Sequence, residues 1–487
     1  MTKNLMIQGT MSGVGKSMIT AGLLRVFFHD GKKCAPFKSQ NMALNSYVTD
    51  EGCEIGRAQA QQAFAAGCRP VKEMNPVLLK PDSNSSSQII VLGKPVRNMN
   101  WREYTEYKKK LIPEILDSYE KLADGNDIIV IEGAGSPVEM NLKEDDIVNM
   151  GFASKVDAPV LLVADINPGG VFAQVYGTYM LLDDEEKKRV KGIIINKFRG
   201  DKKAFESGIT KIEELTGVPV LGVVPYMNIR LDEEDSETSE FDASFGNGPL
   251  KVYVIKLPYI SNYTDMLPLE EDERITLKYT DNPKDLSDAH LIILPGTKNT
   301  VNAAKWMTET GMYDALKKSA SEGAAVFGIC GGYQLLGEKI TDEDLSEIKG
   351  AGLLPVSTVF KTEKVLTRRS GKVKTGSCAS AEGYEIHMGE TVPGEGAVPF
   401  FEDENGTDGC VCDKGNTFCI GTYLHGIFDS DEFRHDYIAD LCKRHSLDAS
   451  KETVSMAVFR EKQFDILEKT LRDNLDIAKI YDIINGN

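Results

Sequence analysis

The chain has 487 residues, of which 41% are hydrophobic, and a formal net charge of −18. This length supports two domains with sizeable cores rather than one. So negative a balance argues against a nucleic-acid or anionic-membrane partner, both of which need a basic face, and an anionic ligand must be held locally by helix N-termini and individual lysines.

The opening MTKNLMIQGT reads as the start of a strand without the layout of a signal peptide, and no apolar run is long enough to span a bilayer. The nine cysteines are odd in number and irregularly spaced. They argue against a disulfide framework and for a reducing, cytoplasmic compartment. Cys410, Cys412 and Cys419 match no zinc spacing and read as ordinary thiols near strands.

LMIQG is a short apolar strand, and KSMITAGLLRVFFHDG follows it with helical spacing. Between them, GTMSGVGKS (Gly9 to Ser17) is a glycine-rich loop in the strand–loop–helix context of a phosphate-binding loop. Backbone N–H groups of such a loop converge on phosphate oxygens and the helix N-terminus adds positive potential. Thr10, Gly13, Val14, Gly15, Lys16 and Ser17 are the expected nucleotide contacts. Lys16 would reach the β/γ-phosphates of ATP and Ser17 would ligate Mg²⁺. The strict spacing asks for glycine at Thr10, with Gly9 one residue early, and the bland alternative is a glycine-rich turn holding a chance GKS.

Farther along, DIIVIEG, APVLLVAD and VKGIIINKF are continuous apolar runs bounded by polar turns, the pattern of strands buried on both faces of a parallel sheet. Helical segments separate them, so the first domain, 1–229, is expected to be doubly wound α/β. Glu132 leaves one strand end as a candidate Mg²⁺ ligand, with a turn-capping acid as the alternative. Asn196 and Lys197 leave another as candidate base contacts. Glu54 in EIGRAQ is a further Mg²⁺ candidate, and Lys38 in FKSQNMALNS lies near the same edge. The stretch from 230 to 250 is acidic and turn-rich and reads as a linker.

Strands resume with KVYVIKL, AHLIILPG and AAVFGI, defining a second α/β domain over 251–447. In FGICGGYQLLG, Cys330 stands at a tight turn between strand and helix, the geometry of a nucleophile elbow. The turn exposes the sulfur and the helix N-terminus favours thiolate. His425 in TYLHG follows another strand and completes a candidate Cys–His pair. Gly296 in LPGTKN and Gly331 are expected at an oxyanion site, and Gln334, one helical turn past Cys330, at a substrate amide. Each residue alone has a structural alternative: a cysteine after a strand is often core filler. In the final segment, 448–487, apolar residues at 464, 467, 471, 475 and 480 mark an amphipathic helix or helix pair.

The loop GTMSGVGKS resembles the dethiobiotin-synthetase branch of P-loop proteins, whose members phosphorylate a carboxylate; that resemblance singles out Lys38 as a substrate-carboxylate contact. The thiol–imidazole pair resembles class I glutamine amidotransferases. There a His-Pro-Glu glutamate orients the imidazole, but here Gly426 and Ile427 follow His425, which resembles the cobalamin-pathway subgroup. Across nearly the whole chain, from GTMSGVGKS through FKSQNMALNS, NPVLLKP, NKFRGD, LPGTKNT and GYEIHMG to EKQFD, the order of motifs is similar to that of the cobyric acid synthase family. The resemblance implies ATP, Mg²⁺, glutamine and a corrinoid acid as small-molecule cofactors and substrates. It also implies amidation of four peripheral carboxylates. It leaves open a homo-oligomer, a cobyrinic acid a,c-diamide synthase, another two-domain amidoligase, or an ATP switch with an inactive glutaminase-like domain. DINPGGVFA (Asp165 to Ala173) departs from the family's D-I-D-R-G-G-V-F-A at Asn167 and Pro168; Lys197 or Arg199 is expected to offset the missing arginine.

Overall fold

A computed structural model describes residues 2–81, 86–231, 241, 243–342, 345–376, 378–451 and 454–486, the side chain of residue 362 excepted. Most of the acidic stretch expected as a linker, residues 232–240 and 242, lies outside them. The chain divides into two units, one of Met1–Met42, Cys53–Asp232 and Arg460–Asn487, the other of Ala43–Gly52 and Glu233–Phe459. Two features of this division were not expected: Ala43–Gly52 belongs to the second unit, and the chain's end belongs to the first.

The first unit is built on a six-stranded sheet in the order Val220–Pro225, Val190–Phe198, Val160–Asp165, Lys3–Gly9, Ile128–Glu132, Cys34–Phe37. Every pairing is parallel. Strand Lys3–Gly9 lies between strands reached in opposite directions of winding. Ligands of such sheets bind at that switch point, outside the carboxyl ends of the strands. Gly9, Glu132, Asp165 and Asn196 all stand there. Apolar runs such as IIVIE and VLLVAD are wholly buried because helices cover both faces.

Helix Lys16–His29 covers one face. Phe464, Leu467, Leu471, Leu475 and Ile480 join the core beneath it, so the C-terminal apolar spacing maps onto a buried stripe. Gly22 allows this approach: a Cβ there would stand 2.4 Å from Leu471 Cδ1. A smaller four-stranded sheet, Gln40–Met42, Val77–Pro81, Ser86–Val91 and Lys94–Asn100, has no counterpart in the expected elements.

The second unit holds a seven-stranded sheet in the order Ser244–Phe245, Ile275–Thr280, Leu250–Ile255, Leu291–Leu294, Ala325–Ile329, Thr417–Thr422, Cys410–Lys414. Its five central strands are parallel. A long antiparallel hairpin, Val356–Val373 with Ser380–Pro393, organises a second sheet. Among the described residues no helix is long and apolar enough to cross a membrane.

Candidate active site

Four adjacent parallel strands of the second unit each deliver one residue or loop to the same end of the sheet. Leu250–Ile255 leads to Asp265, Leu291–Leu294 to Gly296, Ala325–Ile329 to Cys330 and Thr417–Thr422 to His425. Cys330 has φ 52 and ψ −108, a conformation costly for a side-chain-bearing residue and kept only where the surroundings enforce it. Here its N–H donates to Thr422 O (2.8 Å) and its carbonyl accepts from Gln334 N (3.1 Å). Contrary to the exposure expected of the turn, Cys330 is buried, at 8% exposed, because the thiol is packed against the neighbouring hairpin and donates to Ile386 O at 3.4 Å.

His425 is buried and held on both sides. Its Nδ1 lies 2.7 Å from Asp265 Oδ2, and Asp265 Oδ1 accepts from Gly426 N at 2.8 Å. The Cys330 thiol is the other group whose electrostatic influence reaches the ring. With Nδ1 taken by the carboxylate, Nε2 is the nitrogen left for sulfur. Burial alone would push the imidazole pKa down. The Asp265 carboxylate and the Cys330 thiol outweigh it and raise the pKa from 6.5 to about 10. The ring of Tyr384 stacks on His425, with centroids 5.5 Å apart, and their backbones exchange two hydrogen bonds.

Gly296 and Gly331 lie in the same corner, Gly296 beside His425 and Gly331 beside Thr297. A Cβ on Gly296 would meet His425 Cε1 at 3.0 Å, and one on Gly331 would meet Thr297 Cγ2 at 2.7 Å. Gln334 is different. It is 2% exposed, its Oε1 accepts from Thr300 Oγ1 (2.8 Å) and its Nε2 donates to Tyr423 OH (3.1 Å), so both ends of the amide are occupied within the protein. His387 of GYEIHMG is likewise engaged: Nδ1 lies 2.7 Å from Gly389 O and the ring stacks on Tyr423 at 3.7 Å.

In the first unit the glycine-rich loop turns with φ 74 at Gly13 and 93 at Gly15, values that favour glycine. A Cβ on Gly15 would strike Asn196 Nδ2 at 2.3 Å. That amide donates to Val14 O (2.8 Å), and Lys197 Nζ donates to Gly13 O (2.6 Å), so NKFRGD braces the loop. Thr10 N donates to Val163 O, and its hydroxyl lies 3.3 Å from Gln174 Oε1. Lys16 Nζ lies 3.2 Å from both Met11 O and Gly135 O.

Glu132 gathers the other candidates. Ser17 Oγ (2.9 Å), Lys38 Nζ (3.0 Å) and Gln62 Nε2 (2.5 Å) all donate to its carboxylate. Burial would raise its pKa, but Lys38, Gln62 and Lys16 hold it below the ordinary carboxylate range. Glu54, expected beside the metal, is fully buried in a salt bridge to Lys80 at 2.8 Å. At the departing motif, Arg199 Nε donates to Asn167 Oδ1 (3.0 Å) and Lys197 pairs with Asp165 (3.2 Å), so both expected cations converge on that turn.

Two family models match in order along the chain: a CobQ/CobB/MinD/ParA nucleotide binding domain over residues 5–238 and a CobB/CobQ-like glutamine amidotransferase domain over residues 251–433. A protein of Ruminiclostridium cellulolyticum named cobyric acid synthase is 48% identical over 100% of this chain and 99% of its own length. This chain belongs to the cobyric acid synthase family. A family member from Salmonella dublin is also 48% identical, over 99% of both chains. A solved glutamine amidotransferase structure covers 39% of this chain and 98% of its own, with 20% identity and a TM-score of 0.33, a likeness too slight to bear on function.

Asp265 is the residue that reading the sequence missed. The orienting acid of the His-Pro-Glu pattern lies two residues past the histidine, whereas here the carboxylate arrives 160 residues earlier, on the short turn Tyr263–Met266. The available signal was the neighbouring strand KVYVIKL, whose following loop had to end beside LPGTKN.

Proposed function

We propose that this chain amidates the b, d, e and g carboxylates of adenosylcobyrinic acid a,c-diamide, using ATP to activate each acid and glutamine as the nitrogen source. The observation that supports the reading is that adjacent parallel strands bring Cys330 and the Asp265-held His425 to one end of a sheet, in a chain that also holds a phosphate-binding loop.

At the thiol centre, Cys330 thiolate attacks the side-chain carbonyl carbon of glutamine. The carbon–nitrogen bond breaks, and ammonia leaves with a proton from His425. Water then cleaves the thioester, giving its proton back to His425 and releasing glutamate. Asp265 holds the imidazole in the orientation that points Nε2 at sulfur and stabilises its charged form. The N–H groups of Gly331 and of the Gly296 loop are the candidate oxyanion donors.

At the other centre, the γ-phosphoryl group of ATP passes to the substrate carboxylate, giving an acyl phosphate and ADP. Ammonia attacks the acyl carbon and phosphate departs. Lys16 offsets charge on the transferring phosphoryl group, and Lys38 attracts the carboxylate. Asn196 Oδ1, buried without a hydrogen-bond partner, suits the amino group of an adenine base. Ser17 and Glu132 fit Mg²⁺, since a hydroxyl and a carboxylate held below its ordinary pKa are hard oxygen donors. When bound, the ion would neutralise phosphate charge. Glu54, tied to Lys80, is not assigned to it.

Incubation with ATP, glutamine and the diamide acid, followed by mass spectrometry, tests the reading. Up to four oxygen-for-nitrogen exchanges are expected, each matched by one ADP and one glutamate. Release of ADP and glutamate without nitrogen in the corrinoid would overturn it.

A further inference from the structure

The first unit contains a cavity of about 460 Å³ that the chemistry above does not use. Its walls come from the small sheet and the helix Trp101–Lys108, and from the loop through Ala134 and Pro137 that follows Glu132. The volume is typical of a small-molecule site. Two lining side chains, Trp101 and Met42, are 56% and 54% exposed, so the walls of this cavity offer apolar surface that a ligand can cover. The loop ties this space to the phosphate centre: Gly135 O receives Lys16 Nζ, and Asn149 pins Ala134 and Ser136 by donating to their carbonyls at 2.6 and 3.2 Å.

Lys108 lines the cavity and is only 8% exposed. Among the described residues it makes no ion pair and no side-chain hydrogen bond. Its acidic neighbours are engaged elsewhere. Asp145 pairs with Lys109 at 3.4 Å, and Asp146 accepts from the N–H groups of Val148, Asn149 and Gly151. Burial holds the Lys108 pKa below its ordinary value despite the pull of Asp145 and Asp146. The stem is buried while the ammonium keeps access from the cavity, where an anion can meet it.

We propose that this cavity receives the apolar edge of the corrinoid acid and that Lys108 binds one of its rim carboxylates. The assignment rests on the amidation reading above. It makes Lys108 a determinant of substrate choice: it favours a corrinoid that still carries acids over one whose rim is all amides.

The test uses the full chain carrying Trp306→Phe, which leaves Trp101 as the sole reporter of the two tryptophans. Cobyrinic acid a,c-diamide and cobinamide, whose rim carboxylates are all amides, are titrated while Trp101 emission is followed. The corrin chromophore is expected to quench Trp101. Lys108→Met is expected to weaken binding of the acid by about 10- to 100-fold, the scale of a charge-assisted hydrogen bond, and to leave cobinamide within about twofold. Lys108→Arg should restore most of the loss, and Lys108→Gln serves if the Met variant does not fold.

Unquenched Trp101 at saturation, or equal loss of acid and cobinamide, would overturn the assignment, as would an unchanged affinity for the acid. If the parent chain still adds nitrogen to the acid in any of those cases, the cavity is wrong and the amidation reading stands. If the parent neither binds nor amidates the acid, the reading itself falls.

Discussion

The thiol corner and the phosphate loop sit at equivalent places, the carboxyl ends of parallel strands, yet they differ in readiness. At the thiol corner Asp265 pairs with His425, Cys330 with Ile386 O, and Gln334 with Thr300 and Tyr423, and among the described residues none of the four has a buried side-chain nitrogen or oxygen without a partner. Around the phosphate loop, Gln8 Oε1, Gln62 Oε1 and Asn196 Oδ1 are buried without hydrogen bonds. Lys16 and Lys197 are meanwhile turned onto backbone carbonyls, Met11 O and Gly13 O of the loop and Gly135 O beside it. Buried polar atoms left unpaired are costly, so the second centre has acceptors that a bound ligand can satisfy. The first is preorganised and needs only substrate. Removing one group should therefore do different things at the two places.

The largest effect is expected from Cys330→Ala. Glutamine-dependent amidation should fall by about 10⁴-fold or more, as when a covalent nucleophile is removed. Amidation driven by an ammonium salt should persist, because the phosphate centre is untouched. Loss of both would merge the two centres into one. Lys16→Ala is the complementary break. It should reduce amidation from either nitrogen source by about 10²–10³-fold, the worth of one charge-stabilising contact, while glutamate release is assayed in parallel.

What could be read beforehand divides along the same line. The phosphate loop is contiguous, so its glycines, Lys16 and Ser17 stand together in nine residues. The same holds for the Cys330 elbow and for the apolar stripe from Phe464 to Ile480. Asp265 is one of 74 acidic residues, on a turn with no periodicity, and only the order of strands brings it to His425. Ala43–Gly52 joins the second unit through Ser46 N to Asn262 Oδ1 and Tyr384 OH to Ser46 O, contacts between residues more than 200 apart that no local pattern announces. Gln334 and Glu54 were legible as polar residues near motifs. That Thr300, Tyr423 and Lys80 would claim them was set by packing.

Asp265→Asn sharpens the claim of preorganisation. It keeps the shape and removes the anion, so glutaminase activity should drop about 10²-fold, within the range of a mispositioned general acid–base. The imidazole pKa should fall, moving the alkaline limb of the pH–rate profile to lower pH. Stability carries the same signature. With the folded pKa near 10 against 6.5 unfolded, protonation of His425 stabilises the wild-type fold fully below about pH 6.5, and the contribution is lost as pH rises toward 10. The stability gap between wild type and variant should thus be widest near pH 6 and narrow at high pH. A gap independent of pH would make Asp265 a packing residue.

The smallest effect concerns how the phosphate loop's helix is seated. Helix Lys16–His29 is clamped from below by the C-terminal helix, with Arg25 pairing with Glu461 and Asp465 and Arg472 pairing with Asp30. The acidic partners are 57%, 58% and 31% exposed, so each pair is worth little. The apolar contact at Gly22 carries more, because Leu467 and Leu471 lie within 3.0 Å of where a Cβ would stand. Gly22→Val should overpack this contact and cost about 1–3 kcal/mol of stability, measured by denaturant midpoint at unchanged slope. Since Ser17 and Lys16 ride on the same helix, ATP affinity should weaken with it, whereas glutamine hydrolysis by the separately folded thiol corner should hold. An equal loss at both centres would show that the thiol corner, too, depends on how this helix is seated.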